Sequence, residues 1–212
     1  MSDDQQTQKV YIVDDDPGIR ESIAMLMETV GLPARAYGSA AEFLQHFDSG
    51  NGVLLLDVRM PGMSGVELQR SLCDETFSGL AVIFMTGHAD VPMAVNALKS
   101  GATDFLTKPV REQDLLDCVQ RALASNETRI RHRQHASAVQ ERIATLTPRE
   151  QEIMVLIADG KPSKVVAYEL GISQRTVEIH RARVMKKMDC RSTSQLTRSL
   201  DSIQFEAPDA VN

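Results

Sequence analysis

Five short apolar, β-favouring runs mark the first half of the chain, at residues 10–13, 34–37, 53–56, 80–84 and 104–107. Each is followed by a stretch with helical spacing of apolar positions, at 17–30, 40–47, 64–73, 91–100 and from 112 onward. Strands that read as continuous apolar runs have both faces covered, as in a parallel sheet with helices on either side. Pro17 and Pro92 stand at helix starts, and Gly31 and Gly101 at helix ends, where each residue type is favoured. The pattern predicts an α/β domain built on a doubly wound, five-stranded parallel sheet.

Between Arg111 and Thr147 there is neither Gly nor Pro, and Leu115, Leu116, Val119, Leu123, Ile130, Val139, Ile143 and Leu146 recur at partly helical spacing. One long helix is expected there. Its middle carries Arg129, Arg131, His132, Arg133 and His135 and little apolar surface, so residues 125–144 are assigned as a helical linker. A break, if the helix had one, would fall at Ser125 and Asn126, both weak helix formers. Thr147-Pro148-Arg149-Glu150 then has the form of a helix start, with a capping hydroxyl, Pro at the first helical position and Glu three residues after the cap. Short helical patterns follow at 163–170, 173–188 and 193–200, with Gly160 and Gly171 in the turns. The expected organisation is an α/β domain at 1–124, the linker, a smaller all-α domain at 145–204 and a loose tail at 205–212.

Composition adds little until it is split along the chain. Hydrophobic content of 42% and charged content of 25% are ordinary for a globular protein. No apolar run approaches the length that spans a bilayer, and the start of the chain is acidic where a signal peptide is basic and then apolar, so a cytoplasmic protein with no membrane partner is expected. Cys73, Cys118 and Cys190 are far apart and read as reduced structural residues. The net charge of −6 conceals an asymmetry. Residues 1–121 hold nine Lys and Arg against 18 Asp and Glu, whereas residues 122–200 hold 14 against eight. The basic half suits nucleic acid, and the acidic half, with clustered carboxylates, suits a cation.

In a doubly wound sheet, ligands bind beyond the carboxyl ends of strands where the strand order reverses. Asp14, Asp15 and Asp16 follow the first predicted strand, Asp57 ends the third, Thr86 the fourth, and Lys108 the fifth with Pro109 after it. Crowded carboxylates repel one another unless a hard cation is bound, and Mg²⁺ accepts a few protein oxygens while keeping waters for a phosphate. An ammonium and a hydroxyl at the same rim can hold phosphoryl oxygens, and a carboxylate is itself a covalent phosphoryl acceptor. At these residues the sequence resembles the receiver domain of two-component response regulators, which has a flavodoxin-like fold. Val13-Asp14-Asp15, Leu56-Asp57-Val-Arg-Met-Pro-Gly-Met-Ser-Gly65, Met85-Thr86-Gly87 and Thr107-Lys108-Pro109 match the four signatures of that family in order. The resemblance implies that Asp57 is the phosphoacceptor, that Asp14, Asp15, Asp57 and the Arg59 main-chain carbonyl hold Mg²⁺, that Thr86 and Phe105 form a switch pair, and that Lys108 contacts the phosphoryl group. The family often has Tyr where Phe105 stands. Asp16 reads as a helix cap, His88 as a loop residue, and Met60, Met63, Met85 and Met93 as packing. A phosphatase of the haloacid-dehalogenase type also fits Asp14-x-Asp16, with Thr86 and Lys108 as later motifs. It needs another acidic pair beyond the Lys, where only Glu112 and Asp114 stand, and it leaves Asp57 unexplained.

In the basic half, 163–170, a Gly171-Ile172 turn and the segment from Ser173 form a helix-turn-helix pattern. Val177, Val184 and Met188 give its second helix a buried stripe, leaving Arg175, Arg181, Arg183, Lys186 and Lys187 for the outside or ends. The stretch from Leu146 to Leu200 resembles the LuxR-type DNA-binding domain, and the two resemblances together are those of the NarL/FixJ response-regulator family. They imply that Arg175 and Thr176 anchor phosphates, that Glu178, Ile179 and Ala182 face base edges, and that Lys186 touches the backbone. Glu178 can accept from a cytosine amine or pair with Arg181 or Arg175 on its own helix. Pro162 replaces a small capping residue, so the helix there should begin at Ser163. The implied protein is no enzyme but a transcription regulator, phosphorylated by a partner histidine kinase and binding double-stranded DNA as a homodimer, with RNA polymerase as a further partner. The alternative is a regulator controlled by protein contacts without phosphorylation, against which the intact Asp57 and Lys108 count.

Overall fold

The computed structural model describes residues 8–47, 50–72, 77–87, 98–99 and 101–204. The chain divides into two compact units, Met1–Thr128 and Arg129–Asn212. In the first, β1 (Lys9–Val13), β2 (Ala34–Tyr37), β3 (Gly52–Asp57), β4 (Leu80–Thr86) and β5 (Asp104–Thr107) form one parallel sheet in the order β2-β1-β3-β4-β5. Among the described residues it carries the helices α1 (Pro17–Thr29), α2 (Ala40–His46), α3 (Gly65–Ser71) and the start of α4 (Glu112–Ala144). This is the doubly wound, flavodoxin-like arrangement.

The two-residue periodicity of the strands sorts their side chains between two cores. Val10, Ile12, Val53, Leu55, Ile83 and Met85 pack with Ile23 and Met27 of α1 and Leu115, Val119 and Leu123 of α4. Tyr11, Val13, Leu54, Leu56, Val82 and Phe84 pack on the other face with Phe43 of α2, Phe47 and Leu68 of α3. Burial on both faces explains why β3 and β4 are buried along their whole length and read as unbroken apolar runs. The helix expected at 91–100 lies outside the described residues, apart from the helical Leu98 and Lys99, as do Cys73, His88, Met93 and the tail from 205.

The helix α4 is unbroken from Glu112 to Ala144, including Ser125 and Asn126. In the second unit, its last turns are followed by α5 (Pro148–Ala158), α6 (Ser163–Leu170), α7 (Gln174–Lys187) and α8 (Thr193–Gln204). Their shared core holds Val139, Leu146, Ile153, Ile157, Val166, Val177, Val184, Met188 and Leu196. Thr147 and Glu150 form the capping box expected at the start of α5, and α6 begins at Ser163, with Pro162 supplying no capping bond. Gly171 ends α6 at φ 64°, a left-handed conformation that lets the chain reverse into α7. Among the described residues no helix is long and apolar enough to cross a membrane.

Candidate functional site

Strand register brings the predicted residues of the first unit together. Val13 of β1 pairs with Leu56 of β3, so the next residues, Asp14 and Asp57, leave the sheet side by side where the strand order reverses. On β4 and β5, Thr86 pairs with Thr107, and the Lys108 amide donates to the Thr86 carbonyl at 2.7 Å. Lys108 Nζ then reaches inward and donates to Asp14 Oδ2 at 2.5 Å and to Asp57 Oδ1 at 2.6 Å. The side chains of Asp14 and Asp57 are 0% and 8% exposed and that of Lys108 17%, so two carboxylates and one ammonium share a largely dry crevice.

Main-chain groups fix the carboxylates further. Asp57 Oδ2 accepts from the Arg59 amide at 2.9 Å, and Asp14 Oδ1 from the Asp16 amide at 3.0 Å. An Arg20 guanidinium nitrogen donates to the Asp14 carbonyl at 2.7 Å. The segment after Asp57 folds back so closely that a Cβ on Gly65 would lie 2.1 Å from the Asp57 carbonyl oxygen, so this position accepts only glycine. Burial raises the Asp57 carboxyl; the Lys108 bond and charge oppose it, the Asp14 charge adds to it, and the group settles above its ordinary value. Burial pulls the Lys108 ammonium down, but its bonds to the two carboxylates outweigh this and hold it above its ordinary value.

The remaining predicted residues lie around this centre. Thr86 is buried at 2% exposure, and Phe105 is partly buried against the core under α2 and α3. Asp15 is exposed at the rim, and Asp16 caps α1 by accepting from the Gly18 and Ile19 amides. Among the described residues no three acidic, His or Cys side chains converge as a metal cage. The Lys108 ammonium bridges Asp14 and Asp57.

In the second unit, Val177, Val184 and Met188 are buried, as their spacing predicts, which turns Arg175, Glu178, Ile179, Ala182, Arg183 and Lys186 outward along α7. Ile179 is 47% exposed, an apolar side chain offered to solvent in the middle of a polar face. Thr176 is half-buried, with its hydroxyl 2.8 Å from Ser173 Oγ at the helix start. Glu178 pairs with neither Arg181 nor Arg175; it accepts from Gln174 Nε2 at 3.1 Å. Arg181 is half-buried and donates to Thr193 Oγ1 at 2.8 Å. Lys187 is the last residue of α7, at one of the two places its spacing allows. Its ammonium donates to Glu150 Oε2 at 2.6 Å and to the Thr145 carbonyl at 2.9 Å, tying the end of α7 to the start of α5. Glu150 also accepts from the Thr147 amide, and the Lys187 bond foremost lowers its carboxyl pKa to about 2.

Comparison with known proteins gives the same two parts. Residues 10–120 match the response regulator receiver domain family, and residues 144–200 match the luxR family of bacterial regulatory proteins. The chain belongs to the response-regulator family. This response regulator is 42% identical over 199 residues to nodulation protein W of Bradyrhizobium diazoefficiens, covering 93% of this chain and 87% of that protein. It is 42% identical over 193 residues to the transcriptional regulatory protein FixJ of Rhizobium meliloti, covering 89% and 93% of the two chains. Its fold matches the solved structure of the response regulator StyR with a TM-score of 0.79 and 38% identity, over 92% of this chain and 98% of that one. It is therefore a transcription regulator with a receiver and a LuxR-type helix-turn-helix domain, as its sequence motifs imply.

Two features of this response regulator carried no sequence signal. The inward turn of Lys187 onto Glu150 joins residues 37 positions apart, and either charge alone reads as helix surface. Asp104, at the start of β5, accepts from Cys118 Sγ at 3.2 Å and from Arg121 at 3.4 Å, which links the strand carrying Phe105 to α4.

Proposed function

We propose that this regulator is switched by phosphorylation of Asp57 and that the phosphorylated form binds DNA as a dimer through α7. The observation that carries the first part is the position of Lys108, whose ammonium lies within hydrogen-bond reach of both Asp14 and Asp57 in the crevice at the strand ends. A carboxylate oxygen of Asp57 attacks the phosphorus of a phosphohistidine on the partner kinase; a P–O bond forms, the P–N bond breaks, and the imidazole leaves. Lys108 stays protonated and can follow the charge from the carboxylate onto the phosphoryl oxygens. The Arg59 amide holds the second Asp57 oxygen and so orients the nucleophile. Thr86 and Phe105, on adjacent strands, are placed to respond to the new group.

The donor chemistry suits Mg²⁺: the buried carboxylates of Asp14 and Asp57 share a single ammonium, and with Asp15 at the rim and the Arg59 carbonyl they are the hard oxygens that would hold the ion. Bound there, Mg²⁺ supplies positive charge to the phosphoryl oxygens. For DNA, Arg175, Thr176, Arg181, Arg183 and Lys186 supply the phosphate-facing set, while Glu178, Ile179 and Ala182 face base edges, with Ile179 suited to a thymine methyl. The chain acts as a cytoplasmic regulator rather than an enzyme, with RNA polymerase as its downstream partner. Labelling with acetyl phosphate and Mg²⁺, followed by peptide mass spectrometry, tests the assignment. A single acyl phosphate on Asp57, lost in Asp57→Asn and on chelation, is expected; undiminished labelling of Asp57→Asn refutes it.

A further inference from the structure

Along α4, the residues buried on the receiver sheet fall at Leu115, Cys118, Val119, Ala122, Leu123 and Asn126. All but the last pack through apolar or thiol contacts. Asn126 is 2% exposed, and its Nδ2 donates to the Gly79 carbonyl at 2.7 Å and the Gly52 carbonyl at 3.1 Å. These carbonyls belong to the first residue of β3 and the residue before β4. They lie at the amino edge of the sheet, at the other end of the strands from Asp14, Asp57 and Lys108. The Gly79 carbonyl also accepts from the Gly52 amide at 3.0 Å, so the amide of Asn126 closes a small network that joins α4 to both central strands.

Apolar contacts are non-directional and let a helix roll or slide slightly on a sheet. Two hydrogen bonds from one buried amide to two carbonyls of fixed strands do not, and a roll of the helix breaks both. A single buried Asn is a known means of fixing one helix register over its neighbours. Past Asn126 the helix is exposed from 127 to 135, apart from the half-buried Ile130, and continues unbroken to Val139 and Ile143, which belong to the core of the second unit. A helix free to roll on the sheet would absorb a rearrangement made at Asp57. One pinned at its point of exit keeps a single phase there.

We infer that Asn126 is a positioning residue that sets the helical phase of α4 where it leaves the receiver, and that this phase couples phosphorylation at Asp57 to DNA affinity. The inference rests on the reading of Asp57 as phosphoacceptor. The test uses the full chain, acetyl phosphate with Mg²⁺, intact-mass measurement of phosphorylation, and fluorescence anisotropy on a duplex selected from a random pool by the phosphorylated wild-type protein. Asn126→Leu keeps the volume and removes both donors; it should be phosphorylated as fully as the wild type, while its phosphorylation-dependent gain in DNA affinity falls by about tenfold. Two insertions after Gln134 leave the receiver intact. At about 100° per residue, two added residues turn the helix by about 200°, whereas seven bring it within about 20° of its original phase. The two-residue insertion should lose the gain and the seven-residue insertion should keep it. Equal behaviour of the two insertions, or a wild-type gain in Asn126→Leu, overturns the inference. If Asn126→Leu fails to fold, the insertions decide alone. Failure of the phosphoacceptor reading shows separately, as a wild-type chain that takes up no label or an Asp57→Asn chain that does.

Discussion

Replacing Lys108 by Met tests the electrostatic core of the receiver. Met has nearly the length of the lysine stem and no charge, so the substitution removes one ammonium from a crevice holding Asp14 at 0% and Asp57 at 8% side-chain exposure. In the native protein each carboxylate is within 2.6 Å of that ammonium. Without it they keep the Arg59 and Asp16 amides but lose their shared counter-charge in a low-dielectric site. Breaking a buried ion pair by removing one partner costs about 3–5 kcal/mol, a large share of the roughly 5–15 kcal/mol that stabilises a typical domain. With a urea dependence of about 2 kcal/mol per molar, the unfolding midpoint of the receiver should fall by about 1.5–2.5 M at pH 7. The carboxylates then have two routes to relief. Protonation raises stability again as the pH drops toward the ordinary aspartate range, because the unpaired acids bind protons more readily folded than unfolded. A divalent cation does the same at neutral pH, so millimolar Mg²⁺ should recover more stability in Lys108→Met than in the wild type, where the ammonium competes for the same oxygens. Urea titrations followed by far-UV circular dichroism, at pH 7 with and without Mg²⁺ and at pH 5, measure all three effects. A variant as stable as the wild type at pH 7, or one indifferent to both pH and Mg²⁺, would refute the shared-crevice picture.

Other consequences follow from the second unit and from α4. The Glu150 carboxyl has its pKa lowered from 4.5 to about 2, so the stability it contributes is present above pH 4.5 and lost as the pH falls toward 2; the gap in melting temperature between wild type and Glu150→Gln should be full at pH 6 and close through that window. Lys186→Ala should weaken binding to all DNA sequences alike and flatten the salt dependence by about 0.9 log units per log unit of salt for each phosphate it no longer neutralises, whereas Glu178→Ala should change base preference at one position; both are read by anisotropy titrations across salt concentrations. The Cys118 thiol, raised to about 12 foremost by burial and next by the Asp104 carboxylate, should resist alkylation in the folded protein at pH 8 when Cys73 and Cys190 are replaced by Ala, and react at once in urea.

Residues that act at strand ends were legible because the fold itself directs attention there. Once five apolar runs alternate with helical patterns, Asp14, Asp57 and Lys108 must share one rim, and the parallel register delivers them to it. Local rules located the Thr147–Glu150 capping box and the late start of α6 equally well, since both depend on neighbours in sequence. Contacts across long separations were not legible. Asn126 is a poor helix former and marked the place for a break, yet its bonds to Gly52 and Gly79, 74 and 47 residues away, outweigh that propensity. Lys187 looks like a free cation of a DNA-binding helix, and only the packing of α7 against α5 shows that Glu150 receives it. Glu178 had a simpler partner than any charge, the Gln174 amide one turn earlier.

The central claim, that chemistry at Asp57 controls DNA binding by α7, is tested most directly by one measurement. DNA affinity is determined at a single fixed salt concentration for the wild type and Asp57→Asn, each with and without acetyl phosphate and Mg²⁺. The account predicts an increase of about tenfold or more for the wild type and no change for Asp57→Asn. An equal increase in both proteins, or none in a wild type shown by mass to be phosphorylated, would contradict it.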